Sequence, residues 1–454
     1  MKKVFAVIAL FIIIASFVVN DEPKPVYIPP SEQRLGGDPQ KGYEYLVTGD
    51  YVKGGIPLQF FMMGMGKAKK DFLQREGMNK NISHEFTAVK AKNGEVVIAP
   101  NCLQCHAQVF EDSLIIGLGN SFADFTRSMS VGFNIAENLM KSTAPKKYEA
   151  SANFFKVGKT IGPHLTTEVI GVNAADRLAA VLVAHRDPVT LEWSDKPLME
   201  IPKQVIPSDV PPWWLLKKKN AMFYNGFGRG DFGRFLMASN LLTVNDTIES
   251  EEVDSHMPDL LAYIYSLEAP KYPHAINKQL ASKGEFIFNE KCANCHGFYG
   301  EDESYPNLLI PQEIIQTDSL LYVSNYSNPQ FVNWFNSSWF TKGDHPARLE
   351  PFKGYIAPPL DGIWASAPYL HNGSVPSLDA VLNSKLRPKF WSREFLAPQY
   401  DYEKIGWSYQ EKDRASSQKV YNTTLPGYGN YGHYFGDKLD ENERKAVLEY
   451  LKTL

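Results

Sequence analysis

A mainly α-helical chain is predicted, built as two similar units in tandem and elaborated by long ordered loops. Three observations predict it. The pattern Cys-x-x-Cys-His occurs at Cys102–His106 and again at Cys292–His296, and it uses every cysteine of the 454 residues. Each half ends on an apolar helical stripe with one signature, Tyr263-Ile264-Tyr265-Ser266-Leu267 and Tyr450-Leu451-Lys452-Thr453-Leu454. Such self-similarity argues for a duplicated architecture. Stretches 186–220 and 297–360 are rich in Pro, Gly, Asn and Ser and read as ordered loops, and loops that long in a compact unit are usually functional.

Taken in order, residues 1–20 read as a signal peptide or an N-terminal anchor. Lys2 and Lys3 precede an apolar run from Val4 to Val19, with small Ala15 and Ser16 near its end. The run sits at the upper limit of a signal core of about 7–15 residues and short of the roughly 20 needed to span a bilayer. Residues 21–90 read as an N-terminal extension without a motif. The first unit is expected over 91–270 and the second over 271–454. The linker is Glu268–Pro273, where two prolines stop a helix. In the second unit Leu280, Gly284, Phe288 and Cys292 recur at helical spacing and are expected to turn one face to the cofactor. The closing helix, Glu441–Leu454, carries Ala446, Leu448, Leu451 and Leu454 on one stripe.

The cysteine pattern has a mechanical reason. Positions i, i+3 and i+4 of a helix share a face, so two thiols can hold the vinyl groups of a haem while the next imidazole reaches the iron. Cys-x-x-Cys-His is accordingly the attachment signature of c-type haem. Two disulfides would not explain a histidine after each pair, and four-cysteine zinc sites space their pairs about 15–20 residues apart. Two covalent haems are therefore expected, on Cys102, Cys105 and His106 and on Cys292, Cys295 and His296. Two cytochrome c-like units follow, each with a haem helix first and a closing helix last. Export agrees with covalent haem, which places the body in the periplasm or another extracytoplasmic space, with the inner membrane touched only through residues 4–19. The net charge of −4 gives no electrostatic case for nucleic acid or for anionic lipid.

Axial ligation decides what each iron can do. The last methionine is Met257, so the second unit holds no thioether ligand and a histidine is expected as its sixth ligand. His345, His371 and His433 are the choices. His433 is preferred because it lies in the glycine-rich Gly429–Gly436 stretch just before the closing helix. His371 is expected near the second haem as a hydrogen-bonding or propionate contact. For the first haem no histidine follows His106 until His164. Phe110, Phe122 and Phe125 are its expected apolar partners. Met129, Met140, Met222 and Met237 could ligate, but an open site opposite His106 is preferred, where peroxide or dioxygen would bind.

The chain resembles the bacterial di-haem cytochrome c peroxidase superfamily, in particular its branch with the secreted di-haem rubber oxygenases. The resemblance rests chiefly on Pro359–Pro376, supported by Lys271-Tyr272-Pro273, Tyr305-Pro306-Asn307, Thr317-Asp318 and Gly432-His433. It implies an electron-transfer haem in the second unit and a reactive haem in the first. It also implies a tryptophan between the haems, best matched by Trp214 of Trp213-Trp214, and a calcium between the units. An acid/base group over the reactive iron would be Glu168. A small periplasmic electron donor, a cytochrome c or a cupredoxin, is the implied partner. The chain departs from ordinary di-haem peroxidases in lacking the second-unit methionine and any histidine over 107–163. Three functions compete: peroxide reduction, dioxygen-dependent cleavage of an apolar substrate, and electron transfer alone.

Overall fold

The computed structural model describes residues 22–128 and 130–454; the expected signal or anchor segment and Met129 lie outside them. About 39% of the chain is helical and 14% strand. Among the described residues no helix is long and apolar enough to cross a membrane.

Two helix pairs organise the chain. In the second half, the helix Lys278–Lys291 starts at Asn277, whose side chain accepts from the Leu280 N–H. The closing helix Glu441–Leu451 starts with a reciprocal cap between Asp440 and Glu443, which satisfies two of the N–H groups a helix start leaves orphaned. Its buried face is Ala446, Val447, Leu448, Tyr450 and Leu451. The two helices cross at Gly284, where a Cβ would overlap the Ala446 carbonyl and stand 2.8 Å from the Tyr450 Cβ. The Phe288 and Tyr450 rings meet beside it, 5.3 Å apart. The Gly284 and Phe288 face thus meets the closing helix, a correction to the expectation that it faces the cofactor. Only a glycine lets backbones approach this closely.

The first half repeats this construction with a helix that the sequence reading placed in an extension. Helix Pro39–Thr48, capped by Asp38, packs on Met257–Ser266. It crosses at Gly42, where a Cβ would overlap the Asp259 carbonyl and stand 2.9 Å from the Tyr263 Cβ. Gly42 faces Tyr263 as Gly284 faces Tyr450, so the repeated tyrosines occupy matching places. The caps match too. The Asp38 N–H donates to the Asp259 carboxylate at 2.7 Å, and the Asn277 N–H donates to the Glu449 carboxylate at 2.6 Å. Within 22–90, the helix Pro39–Thr48 thus packs on the first half, whereas Val26–Tyr27 pairs with Leu308–Pro311 of the second.

Short sheets tie the halves together. Val26–Tyr27 pairs with Leu308–Pro311, which also pairs with Gly354–Ile356, and Gly228–Gly230 pairs with Ala347–Leu349. The stretch 297–360 holds the helices Gln312–Ile315, Leu320–Tyr326 and Pro329–Ser337, so it is not a loop throughout. Asn328 caps the last of these, with Pro329 in the first turn, a position where a missing N–H costs nothing. Over 186–220 the expected irregular course holds apart from a short turn of helix at Trp213–Lys218. The linker after Ser266 is irregular until Lys278, and it is seated on the second half by the Trp364 indole N–H, which donates to the Pro270 carbonyl at 2.7 Å.

Candidate haem centres

The second motif sits on the turn Ala293–His296, directly after the helix Lys278–Lys291. All four cysteines of the chain are unpaired thiols, free to form thioether bonds. His296 Nδ1 lies 2.8 Å from the Pro358 carbonyl. A donor Nδ1–H there fixes the tautomer, orients the ring and leaves Nε2 as the free lone pair. The Tyr299 hydroxyl donates to the His296 carbonyl at 3.0 Å and accepts the Leu360 N–H at 2.6 Å. The start of the Pro359–Pro376 stretch is thus built around His296.

Opposite stands His433. The two imidazole centres are 6.1 Å apart, with planes inclined at 59°. Two imidazoles on opposite sides of one metal, at metal–nitrogen bonds of about 2 Å, put their ring centres about 6 Å apart. The pair therefore fits a single iron between them. Burial and the neighbouring His296 hold the His433 imidazole well below its ordinary range, at about 3, and burial also lowers His296. Neutral rings are what a metal requires. The loop is fixed from outside. The His433 N–H donates to the Ile315 carbonyl at 2.7 Å, and the Arg387 guanidinium donates to the carbonyls of Asn430, Gly432 and His433. His371 is placed differently: its buried ring stacks on Tyr355 at 4.2 Å, and its carbonyl accepts the Asp209 N–H.

The first motif forms the turn Leu103–His106, followed by the hairpin of Ala107–Phe110 and Ser113–Ile116. Cys105 Sγ is 3.0 Å from the Asn173 amide nitrogen. Burial lowers His106 to about 3, again a neutral imidazole. Its Nδ1 is buried without a hydrogen-bond partner, unlike that of His296. Instead the ring lies on the Trp213 indole, 4.4 Å between centres and 18° between planes. Trp213, the neighbour of the expected inter-haem Trp214, is the residue that touches His106. Trp214 is buried, donates its indole N–H to the Asp361 carbonyl at 2.8 Å, and belongs to the second half's core with Phe288 and Trp364. The adjacent indoles therefore reach from His106 to the second half.

Other expectations fare unevenly. Phe110 and Phe122 pack on Trp364 and Trp407 of the second half. Met237 is buried in the first core, with Met222 packed against it. Glu168 has an exposed side chain, and its backbone N–H donates to the Tyr428 hydroxyl at 2.9 Å. Among the described residues no group of three or more His, Cys, Asp or Glu is gathered for a metal, so calcium finds no carboxylate cage there.

With this geometry in place, comparison with known proteins finds a family match over a short part of the chain. Residues 354–392 match the family described as RoxA-like, cytochrome c-like. The match covers all of Pro359–Pro376, including His371, and Arg387, and it implies a c-type haem. The chain is also similar to two Sinorhizobium fredii proteins. It is 42% identical over 113 residues to the uncharacterized protein y4iJ, covering 22% of this chain and 18% of that protein. It is 26% identical over 296 residues to the uncharacterized protein y4iM, covering 56% of this chain and 66% of that protein.

Proposed function

We propose that the chain is an exported di-haem c-type oxidoreductase with two cytochrome c-like units, in which a small periplasmic donor delivers electrons to the second unit and peroxide is reduced at the first. The observation that carries this reading is the His296–His433 pair at 6.1 Å. Cys292 and Cys295 would tether the second haem, with His296 and His433 on its iron. Cys102 and Cys105 would tether the first, with His106 alone on its iron. Haem supplies one-electron chemistry, tuned by its axial ligands and their hydrogen bonds. A bis-histidine iron has no free position and suits electron transfer, whereas an iron with one histidine can take a substrate. Trp213 and Trp214 lie between His106 and the second unit. Glu168, with its exposed side chain, carries no part of this proposal.

One observation favours a second reading. The His106 Nδ1 has no acceptor, so nothing raises that ligand's basicity, a lever that favours cleavage of an O–O bond. Dioxygen binding for oxidation of an apolar substrate is the alternative, in keeping with the RoxA-like match. Peroxide-dependent oxidation of a reduced small cytochrome supports the first reading; dioxygen uptake with an apolar substrate and no donor supports the second.

The haem reading itself is tested by mass. Denatured protein made alongside a haem-maturation system is expected to retain two haems, and one after the double replacement Cys102→Ser with Cys105→Ser. Retention of one or none by the unsubstituted chain contradicts the proposal.

A further inference from the structure

The two iron-ligand histidines of the motifs are held by different means. His296 has a backbone acceptor 2.8 Å from its Nδ1. His106 has none, yet its Nδ1 is buried. A ligand imidazole without such an acceptor is ordinarily free to rotate about its bond to the metal, because that hydrogen bond sets ring orientation. Here the Trp213 indole, 5% exposed, covers the imidazole face at 4.4 Å and 18°.

The indole is itself fixed from the haem motif. The Gly117 N–H donates to the His106 carbonyl at 2.8 Å, and the Trp213 N–H donates to the Gly117 carbonyl at 2.8 Å. One residue thus links the backbone of the histidine to that of the tryptophan covering it. Pro212, with φ of −59°, leads into the turn Trp213–Lys218, and proline restricts that entry. The neighbouring Trp214 is anchored on Asp361, so the pair cannot slide along the imidazole.

We infer that Trp213 is the positioning residue of the first iron's histidine ligand, its indole setting the orientation of the His106 ring in place of the carbonyl that serves His296. This rests on the haem reading above. The consequence is specific: a stacked imidazole without an acceptor donates less electron density than a hydrogen-bonded one, so the first iron favours its reduced state more than it would with a carbonyl-bound ligand.

The test uses the full holoprotein with Trp213→Leu, which keeps apolar bulk without a π face, and Trp213→Phe, which keeps a face. Resonance Raman of the reduced protein reads the iron–histidine stretch of the first haem, and redox titration reads both midpoint potentials. Trp213→Leu is expected to broaden and shift that stretch and to move only the first potential, with Trp213→Phe restoring both. If leucine prevents folding, Trp213→Met reads the same outcomes. A wild-type stretch unmoved by loss of the indole overturns the inference, as does an equal shift at both haems, which marks general loss of packing. Absence of any histidine-bound reduced signal in the wild type overturns the haem reading, and the inference falls with it.

Discussion

Replacing His433 with alanine is expected to convert one low-spin haem entirely to a high-spin, ligand-binding one. The imidazole centre lies 6.1 Å from that of His296, and no methionine in 258–454 can take its place. The backbone around the substitution should survive, because Arg387 and the Ile315 carbonyl hold the loop through main-chain atoms. The variant should therefore fold, keep both covalent haems and bind cyanide or carbon monoxide at a second iron. His371→Ala should leave the low-spin signal in place, since that ring is engaged with Tyr355. If His371→Ala removes the low-spin signal and His433→Ala does not, the ligand assignment is wrong.

Gly284→Ala and Gly42→Ala are expected to be among the most destabilising single-methyl changes in the chain. Each Cβ would overlap a backbone carbonyl on the facing helix, of Ala446 or Asp259 respectively. A carbonyl cannot rotate away as a side chain can, so the helices must part. Overpacking of this kind costs about 1–3 kcal/mol, occasionally more, and in a unit of 150–250 residues each kcal/mol lowers the melting temperature by roughly 2–4 °C. Gly132→Ala is the control. It lies within the helix Ser130–Thr143 with nothing within 4 Å of an added Cβ, so it should be neutral or stabilise by up to about 1 kcal/mol. Thermal unfolding of the three variants checks this. Equal behaviour of all three would contradict the paired-helix account of the fold.

These two predictions also mark what was legible in the sequence. The cysteine pattern names its own chemistry, and the missing methionine with a glycine-rich loop points to His433, whose ring centre lies 6.1 Å from that of His296. The leading helix of the first half escaped because a three-strand sheet, Ile56–Pro57 with Val96–Pro100 and Phe86–Lys90, lies between Thr48 and Cys102. In the second half the equivalent helix runs straight into its motif. A signal was present, since Lys41-Gly42 and Lys283-Gly284 each put the glycine at the crossing with the partner helix. The helices within 297–360 were masked by their Pro, Asn and Ser content. Yet Asn328-Pro329 followed by Phe331, Val332, Trp334 and Phe335 is a capped start with apolar helical spacing. Which of two adjacent tryptophans faces His106 depends on the turn after Pro212, and neither periodicity nor composition encodes that.

The central claim is that one chain holds two irons of unlike coordination, one closed by His296 and His433 and one held by His106 alone. Low-temperature electron paramagnetic resonance of the oxidised protein tests it most directly, by counting spins against the two haems measured by mass. The expected result is one low-spin bis-histidine iron and one high-spin iron, with only the high-spin signal changing on addition of cyanide. Two low-spin irons, both indifferent to cyanide when oxidised and to carbon monoxide when reduced, would contradict the account.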